Sequence, residues 1–241
     1  MESWKNAFRL VRLEFNYSKR HFLIQIGLIL ILLYLIVPTL PNYFENSFFS
    51  IDFLFICTVT IFPQLAIPKV FKVQNLGNGL WASHFIILLN QLAVRKETIV
   101  KYRFIMYNII TLSFTSLFLI SLYLLSPYMQ QNVSVSTYIV FSFFWLCLTI
   151  YVGCIQTVYE AGSNLILNII VSFLFIGPLL FITVIYLFYI VYSGGFVQWT
   201  LMASSRWPVV TSVCSLVLAI ISFNFWMHRM KLKMKKIDYF S

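Results

Sequence analysis

The sequence predicts an all-α polytopic membrane protein, and three observations carry that prediction. Apolar residues make up 61% of the chain and charged residues 10%, against the ~45–50% and ~25% usual in soluble domains. Nearly charge-free runs recur along it, each long enough to cross a hydrocarbon core of ~30 Å as a helix. The bases, which give a net charge of +10, are confined to the segments between alternate runs. These features exclude an ordinary soluble domain, which needs a charged exterior. They also exclude a disordered chain, because 25 Phe, 14 Tyr and 6 Trp residues do not stay solvated.

Six runs reach spanning length, at about 22–40, 48–67, 104–126, 137–158, 165–192 and 209–227. The first carries no charge, the second has Asp52 near its start, and the third stops before Pro127. The fifth would be ~42 Å long as a straight helix. Gly177-Pro178 interrupts it, and a proline there removes a backbone donor and permits a kink.

Orientation follows from the bases. Lys5, Arg9, Arg12, Lys19 and Arg20 precede the first run, and Lys69, Lys72, Arg95, Lys96, Lys101 and Arg103 lie between the second and third. Arg229, Lys231, Lys233, Lys235 and Lys236 follow the sixth. Of the 17 Lys and Arg residues only Arg206 falls on the other side. The positive-inside rule then puts both termini in the cytoplasm, and six spans agree in parity. The basic charge is accounted for by topology, so no nucleic-acid partner is expected. No small-residue cleavage site follows Leu40, and the C-terminal residues match no lipidation pattern.

Residues 1–20 have helical periodicity. Trp4, Ala7, Phe8, Val11 and Phe15 share one stripe, and Lys5, Arg9, Arg12 and Lys19 another. This predicts an interfacial helix with its rings in the membrane and its cations against anionic lipid. In residues 193–208, Phe196, Trp199 and Met202 recur every third position. They fit a short re-entrant or interfacial helix before the last span, and equally an aromatic belt at the outer interface.

The longest cytoplasmic piece, residues 68–103, holds a Gly77-Asn78-Gly79 turn followed by the apolar stretch 80–92. Thirteen residues suit a helix lying on the membrane face or docking a protein rather than a span. Glu97 and Lys101 follow at i,i+4 spacing, the favourable orientation for a helical ion pair.

Few other groups carry chemistry. Asp52 reads as a solvated residue of the outer rim. Glu160, at the inner edge of the fourth span, reads as either a cytoplasmic contact or a plain loop residue. Cys57, Cys147, Cys154 and Cys214 lie in apolar runs without metal-ligand spacing and read as packing residues. His21, His84 and His228 fall far apart at cytoplasmic edges. The chain holds no GxxxxGK[ST] phosphate loop, HExxH pair or GxSxG elbow, so no ATPase, metal or hydrolase site is expected. A secondary transporter would want repeated halves and a coupling carboxylate near the midplane. The sequence offers one broken run and no internal repeat.

One stretch resembles a known family. Leu88-Leu-Asn-Gln-Leu-Ala-Val-Arg-Lys-Glu-Thr-Ile-Val-Lys101-Tyr102 is similar to the segment that ends the cytoplasmic loop between spans two and three of ABC-2 type transporter permeases. The match covers Leu88, Leu89, Leu92, Val94, Arg95 or Lys96, Glu97 and Lys101. Ala93 stands where proline is usual, and Gln74 near where an acid is often seen. The wider order of elbow helix, six spans and an outer segment before the last span is similar as well. The size and the Phe/Ile-rich style resemble small permeases that export amphipathic peptides, such as phenol-soluble modulin exporters and lantibiotic-immunity permeases.

The resemblance implies that residues 1–241 form a single permease domain in a bacterial cytoplasmic membrane, without an ATPase site of its own. It implies a separate ATP-binding subunit that holds ATP and magnesium and a second, identical or different, permease chain. The cargo would be an amphipathic peptide or another hydrophobic molecule moved outwards. Leu88, Leu89, Leu92, Arg95, Lys96, Glu97 and Lys101 would couple the chain to the ATP-binding subunit, and Glu160 would make a second cytoplasmic contact. Outside the resemblance, a secondary transporter and a non-transporting immunity or structural subunit remain alternatives.

Overall fold

The computed structural model describes residues 2–17, 19–46, 49–65, 71, 73–75, 81–92, 94–161 and 194–236, nearly all of them helical. The chain opens with α1 (Glu2–Tyr17) and α2 (Lys19–Ile36), and a 3-10 turn at Val37–Thr39 carries α2 into α3 (Leu40–Asn46). Pro38 and Pro41 withhold amide donors there. The Thr39 hydroxyl returns bonds to the carbonyls of Leu35 and Ile36, at 3.1 and 2.8 Å. Next come α4 (Phe49–Thr60), α5 (Phe62–Leu65), a two-stranded hairpin of β1 (Val73–Asn75) and β2 (Trp81–Ser83), and α6 (His84–Gln91). The remaining elements are α7 (Lys96–Leu125), α8 (Pro127–Asn132), α9 (Val135–Glu160), α10 (Phe196–Arg206) and α11 (Pro208–Lys236).

Four stretches, Leu23–Asn46, Lys96–Leu125, Val135–Ile155 and Pro208–Lys236, are long and apolar enough to cross a membrane. They answer to the first, third, fourth and sixth runs and make the chain polytopic and all-α in class. The fifth run, 165–192 with Gly177-Pro178, lies outside the described residues.

The second run departs from expectation. Instead of one helix over 48–67 there are α4, a turn at Ile61 and the short α5. Pro63 explains the break. It has no N–H to offer the Val59 carbonyl, and it disfavours helical backbone at Phe62 as a continuation of α4. It is tolerated only because it falls in the first turn of a new helix. Alone, the 12 residues of α4 span ~18 Å, less than a hydrocarbon core.

The helix expected over 80–92 begins only at His84, because Trp81–Ser83 pair with Val73–Asn75 as an antiparallel ladder. The register is Val73↔Ser83, Gln74↔Ala82 and Asn75↔Trp81. The Gly77-Asn78-Gly79 turn lies outside the described residues, in the segment that joins the two strands.

At 30 residues, α7 is ~45 Å long and runs through both apolar cores. At one end Phe114, Phe118, Leu119 and Leu122 pack with Tyr43, Phe55, Phe141, Trp145 and Val197. Edge-to-face rings dominate there, with Phe55 centred 4.7 Å from Trp145 and Trp145 5.9 Å from Phe196. Such pairs add ~0.5–1.5 kcal/mol each beyond the area they bury. At the other end Ile99, Val100, Tyr102, Phe104 and Met106 meet Ala7 and Val11 of α1, Ile86 and Leu89 of α6, and Met230 and Met234 of α11. Helices α9 and α11 pack side by side along α7.

Candidate functional site

The motif residues sit where α6 turns into α7. The amide of Val94 donates to the Leu89 carbonyl at 3.1 Å, and Thr98 and Ile99 donate to the Arg95 carbonyl at 2.8 and 3.2 Å. A short connection held by these bonds thus joins the two helices. The structure divides the seven predicted coupling residues into three sets. Leu88, Leu92 and Arg95 are exposed, Leu92 to 65%. Leu89 is buried at 3% and belongs to the core, because a 3.6-residue period turns it inwards when Leu88 and Leu92 face out.

Lys96 and Glu97 are exposed too and Lys101 is half-buried, and all three make contacts within the chain. Lys96 donates to the Met234 carbonyl of α11 at 2.8 Å, a cation at a helix C-terminus where the last carbonyls lack partners. Glu97 pairs with Lys231 of α11 at 3.8 Å. Lys101 donates to the Ser3 hydroxyl at 2.7 Å and lies 4.6 Å over the Trp4 ring. The expected Glu97–Lys101 pair therefore gives way to two contacts with other helices. One further lysine, Lys233, donates to the Val158 carbonyl near the end of α9 at 3.2 Å. Glu160 closes α9, and its side chain lies outside the described residues.

Beneath this face lies a buried ion pair that sequence reasoning missed. Glu14 of α1 is 2% exposed and Arg103 of α7 is 2% exposed. Arg103 Nη1 stands 3.3 Å from both Glu14 oxygens, and its Nη2 donates to the Phe71 carbonyl at 3.4 Å. The Tyr102 hydroxyl also donates to Glu14. The same contact corrects the stripe read for α1. Ala7, Val11 and Glu14 form its buried face against α7, whereas Trp4, Phe8 and Phe15 stay exposed at 38%, 56% and 39%. A signal was available: Glu14 is the one acid on that face, one turn beyond Leu10 and Val11.

A second polar knot sits at the opposite end of α7. Asp52, expected to be solvated, is 0% exposed. Its Oδ1 accepts the Tyr43 hydroxyl at 2.5 Å and the Val197 amide at 2.8 Å, and its Oδ2 accepts the Phe196 amide at 3.0 Å. These are the first amides of α10, which have no acceptor inside their own helix. Asp52 therefore caps α10 from another element. The Gln198 amide reaches the Tyr43 hydroxyl at 3.4 Å, and Gln198 Oε1 accepts the Gly195 amide at 3.1 Å. Gln198 Nε2 closes the ring on the Tyr43 carbonyl at 2.8 Å. Residue 195 has to be glycine: a Cβ would overlap Tyr43 Oη and stand 2.7 Å from Asp52 Oδ2.

Of the cysteines expected to be packing residues, only Cys147 and Cys154 are fully buried. All four are free, with Cys147 and Cys154 buried, Cys57 half-buried and Cys214 exposed. Among the described residues no three His, Cys, Asp or Glu side chains converge as metal ligands. Comparison with protein-family models, with curated proteins and with solved structures gives no match.

Proposed function

We propose that this chain is the membrane permease subunit of an ATP-driven exporter of the ABC-2 type, working with a separate ATP-binding subunit. One observation carries the reading. Leu88, Leu92 and Arg95 are exposed where α6 gives way to α7, and Lys96, Glu97 and Lys101 beside them tie that face to α1 and α11. A partner pushing on the face would move three helices as one lever.

In this reading the chain crosses the membrane six times with both termini in the cytoplasm. The spans are the four long helices, the broken α4–α5 pair and residues 165–192. Helix α1 is the elbow at the inner surface, and α10 is a re-entrant segment at the outer one. Two such chains pair, and nucleotide-driven closure of the ATP-binding subunits switches the spans between two packings. Because α7 runs from the docking face to the core beside Asp52 and α10, its displacement reaches the outer segment directly. The cargo is an amphipathic peptide or a comparable hydrophobic molecule, moved out of a bacterial cell. The two carboxylates buried among the described helices, Glu14 and Asp52, are both held by partners within the chain, which favours this reading over an ion-coupled carrier.

Inside-out vesicles from cells that make the chain test this. They should accumulate a fluorescent amphipathic peptide in an ATP-dependent manner, and vesicles from cells lacking the chain should not. Equal uptake by both removes the export reading.

A further inference from the structure

At the far end of α7, where α8 leads into α9, the two long helices flank a cleft of about 400 Å³. Ile120 and Leu124 of α7 and Val135 and Ile139 of α9 form its walls, and all four are exposed. Its floor is pinned. The buried Tyr138 donates its hydroxyl to the Leu119 carbonyl at 2.6 Å, and its ring is centred 4.6 Å from that of Tyr123. Ser116 and Ser142, one from each helix, are the smallest lining residues and leave the space open. No charged residue lines the cleft, and none occurs in residues 104–159, which supply both walls and the connection between them.

We propose that this cleft holds one acyl chain of a membrane phospholipid, recognised by the chain and not by the charge of the headgroup. The proposal is independent of the permease reading. Three observations select this occupant. The first is depth. The lining residues cover ~12 Å of α7 and ~16 Å of α9, about one leaflet of a ~30 Å core, in two helices long and apolar enough to span it. The second is polarity. A peptide backbone lying in the cleft would need partners for its N–H and C=O groups, and Tyr138 has already committed its hydroxyl to Leu119. A hydrocarbon chain needs none, and it recovers the dispersion contacts that an empty cleft would forfeit. The third is size. A helix ~12 Å long and ~10 Å wide occupies roughly 900 Å³, about twice the cleft, so a helix from a second copy does not enter it whole. Because the Tyr138 bond holds α9 to α7, the site is formed before the chain arrives and little ordering opposes binding.

Native mass spectrometry of the full-length protein in mild detergent tests this, with phosphatidylcholine and phosphatidylglycerol of identical acyl chains as the probes. Wild type should retain one tightly held lipid per chain, with affinities for the two lipids within about twofold and insensitive to salt, because no ion pair is there to be screened. Ser116→Phe and Ser142→Phe fill the cleft and should each weaken that binding at least about tenfold. Leu117→Phe, exposed on α7 and outside the lining, should leave it unchanged. Ile120→Ser combined with Ile139→Ser strips two exposed walls without crowding the floor, and should weaken binding even where a phenylalanine variant fails to fold. Thermal unfolding of each variant separates the two cases. Wild-type binding in the folded cleft variants would overturn the proposal. So would a preference for phosphatidylglycerol of about tenfold or more that salt abolishes, since that marks a headgroup site. Cross-linking of Ile139→Cys between two copies in native membranes would overturn it as well, because a second chain would then cover the cleft.

Discussion

Asp52 Oδ1 accepts the amide of Val197, 145 residues further along the chain, at 2.8 Å. This bond, with its neighbour to Phe196, joins α4 to the start of α10. Removing the carboxylate would strand two amides and the Tyr43 hydroxyl in an apolar core. Each buried donor left without a partner costs ~1–3 kcal/mol. Asp52→Ala should therefore destabilise the protein by about 3 kcal/mol or more. Asp52→Asn should also destabilise, because its NH2 group would face a second donor. Thermal unfolding in detergent measures both, and wild-type melting of Asp52→Ala would show that the contact contributes nothing.

Gly195→Ala puts a methyl group into the space of Tyr43 Oη. It should destabilise in the same assay, and Tyr43→Phe should relieve part of the clash. The double variant is then more stable than the sum of the two single losses predicts, a coupling expected only of residues in contact. Strict additivity would mean that α10 does not approach Tyr43 so closely.

The Glu14–Arg103 pair makes a sharper contrast. Breaking a buried ion pair from one side costs ~3–5 kcal/mol, whereas replacing both partners with apolar residues of similar size is often nearly neutral. Arg103→Met and Glu14→Leu should each loosen α1 from α7, and the double variant should hold it better than either. Proteolysis of α1 in intact detergent-solubilised protein reports the difference.

Leu89 and Leu92 separate packing from docking. Leu89→Ala empties a site 3% exposed and should cost ~2–5 kcal/mol of stability. Leu92→Asp, at a position 65% exposed, should leave stability near wild type and uncouple ATP hydrolysis from transport. Transport at wild-type level in Leu92→Asp would remove the coupling role.

What the sequence revealed and what it hid follow from range. Four of the six apolar runs, α1 and α10 are legible because a helix is local: its period and its Pro boundaries lie within a few residues of one another. Lys96, Glu97 and Lys101 read as neighbours in one motif, and their contacts within the chain, to Met234, Lys231 and Ser3, were hidden because those residues lie on other helices. Asp52 looked solvated because two of its three partners are backbone amides at Phe196 and Val197, and an amide leaves no mark in a sequence. The hairpin was hidden for a related reason. Trp81–Ser83 carries no strand alternation, and only pairing with Val73–Asn75 makes it a strand.

Cysteine labelling checks orientation. Ser134 precedes α9 and is exposed, as is Lys235 near the end of α11. Ser134→Cys should react with an impermeant reagent from outside intact cells, and Lys235→Cys only after permeabilisation. The reverse pattern would invert the topology.

The central claim is that this chain is driven by a separate ATP-binding protein, and co-purification tests it most directly. Extracted from native membranes in mild detergent, the chain should carry a stoichiometric soluble subunit with a phosphate-binding loop and ATPase activity. Mass spectrometry identifies that subunit. A chain that emerges alone, or only with other membrane subunits, would contradict the account.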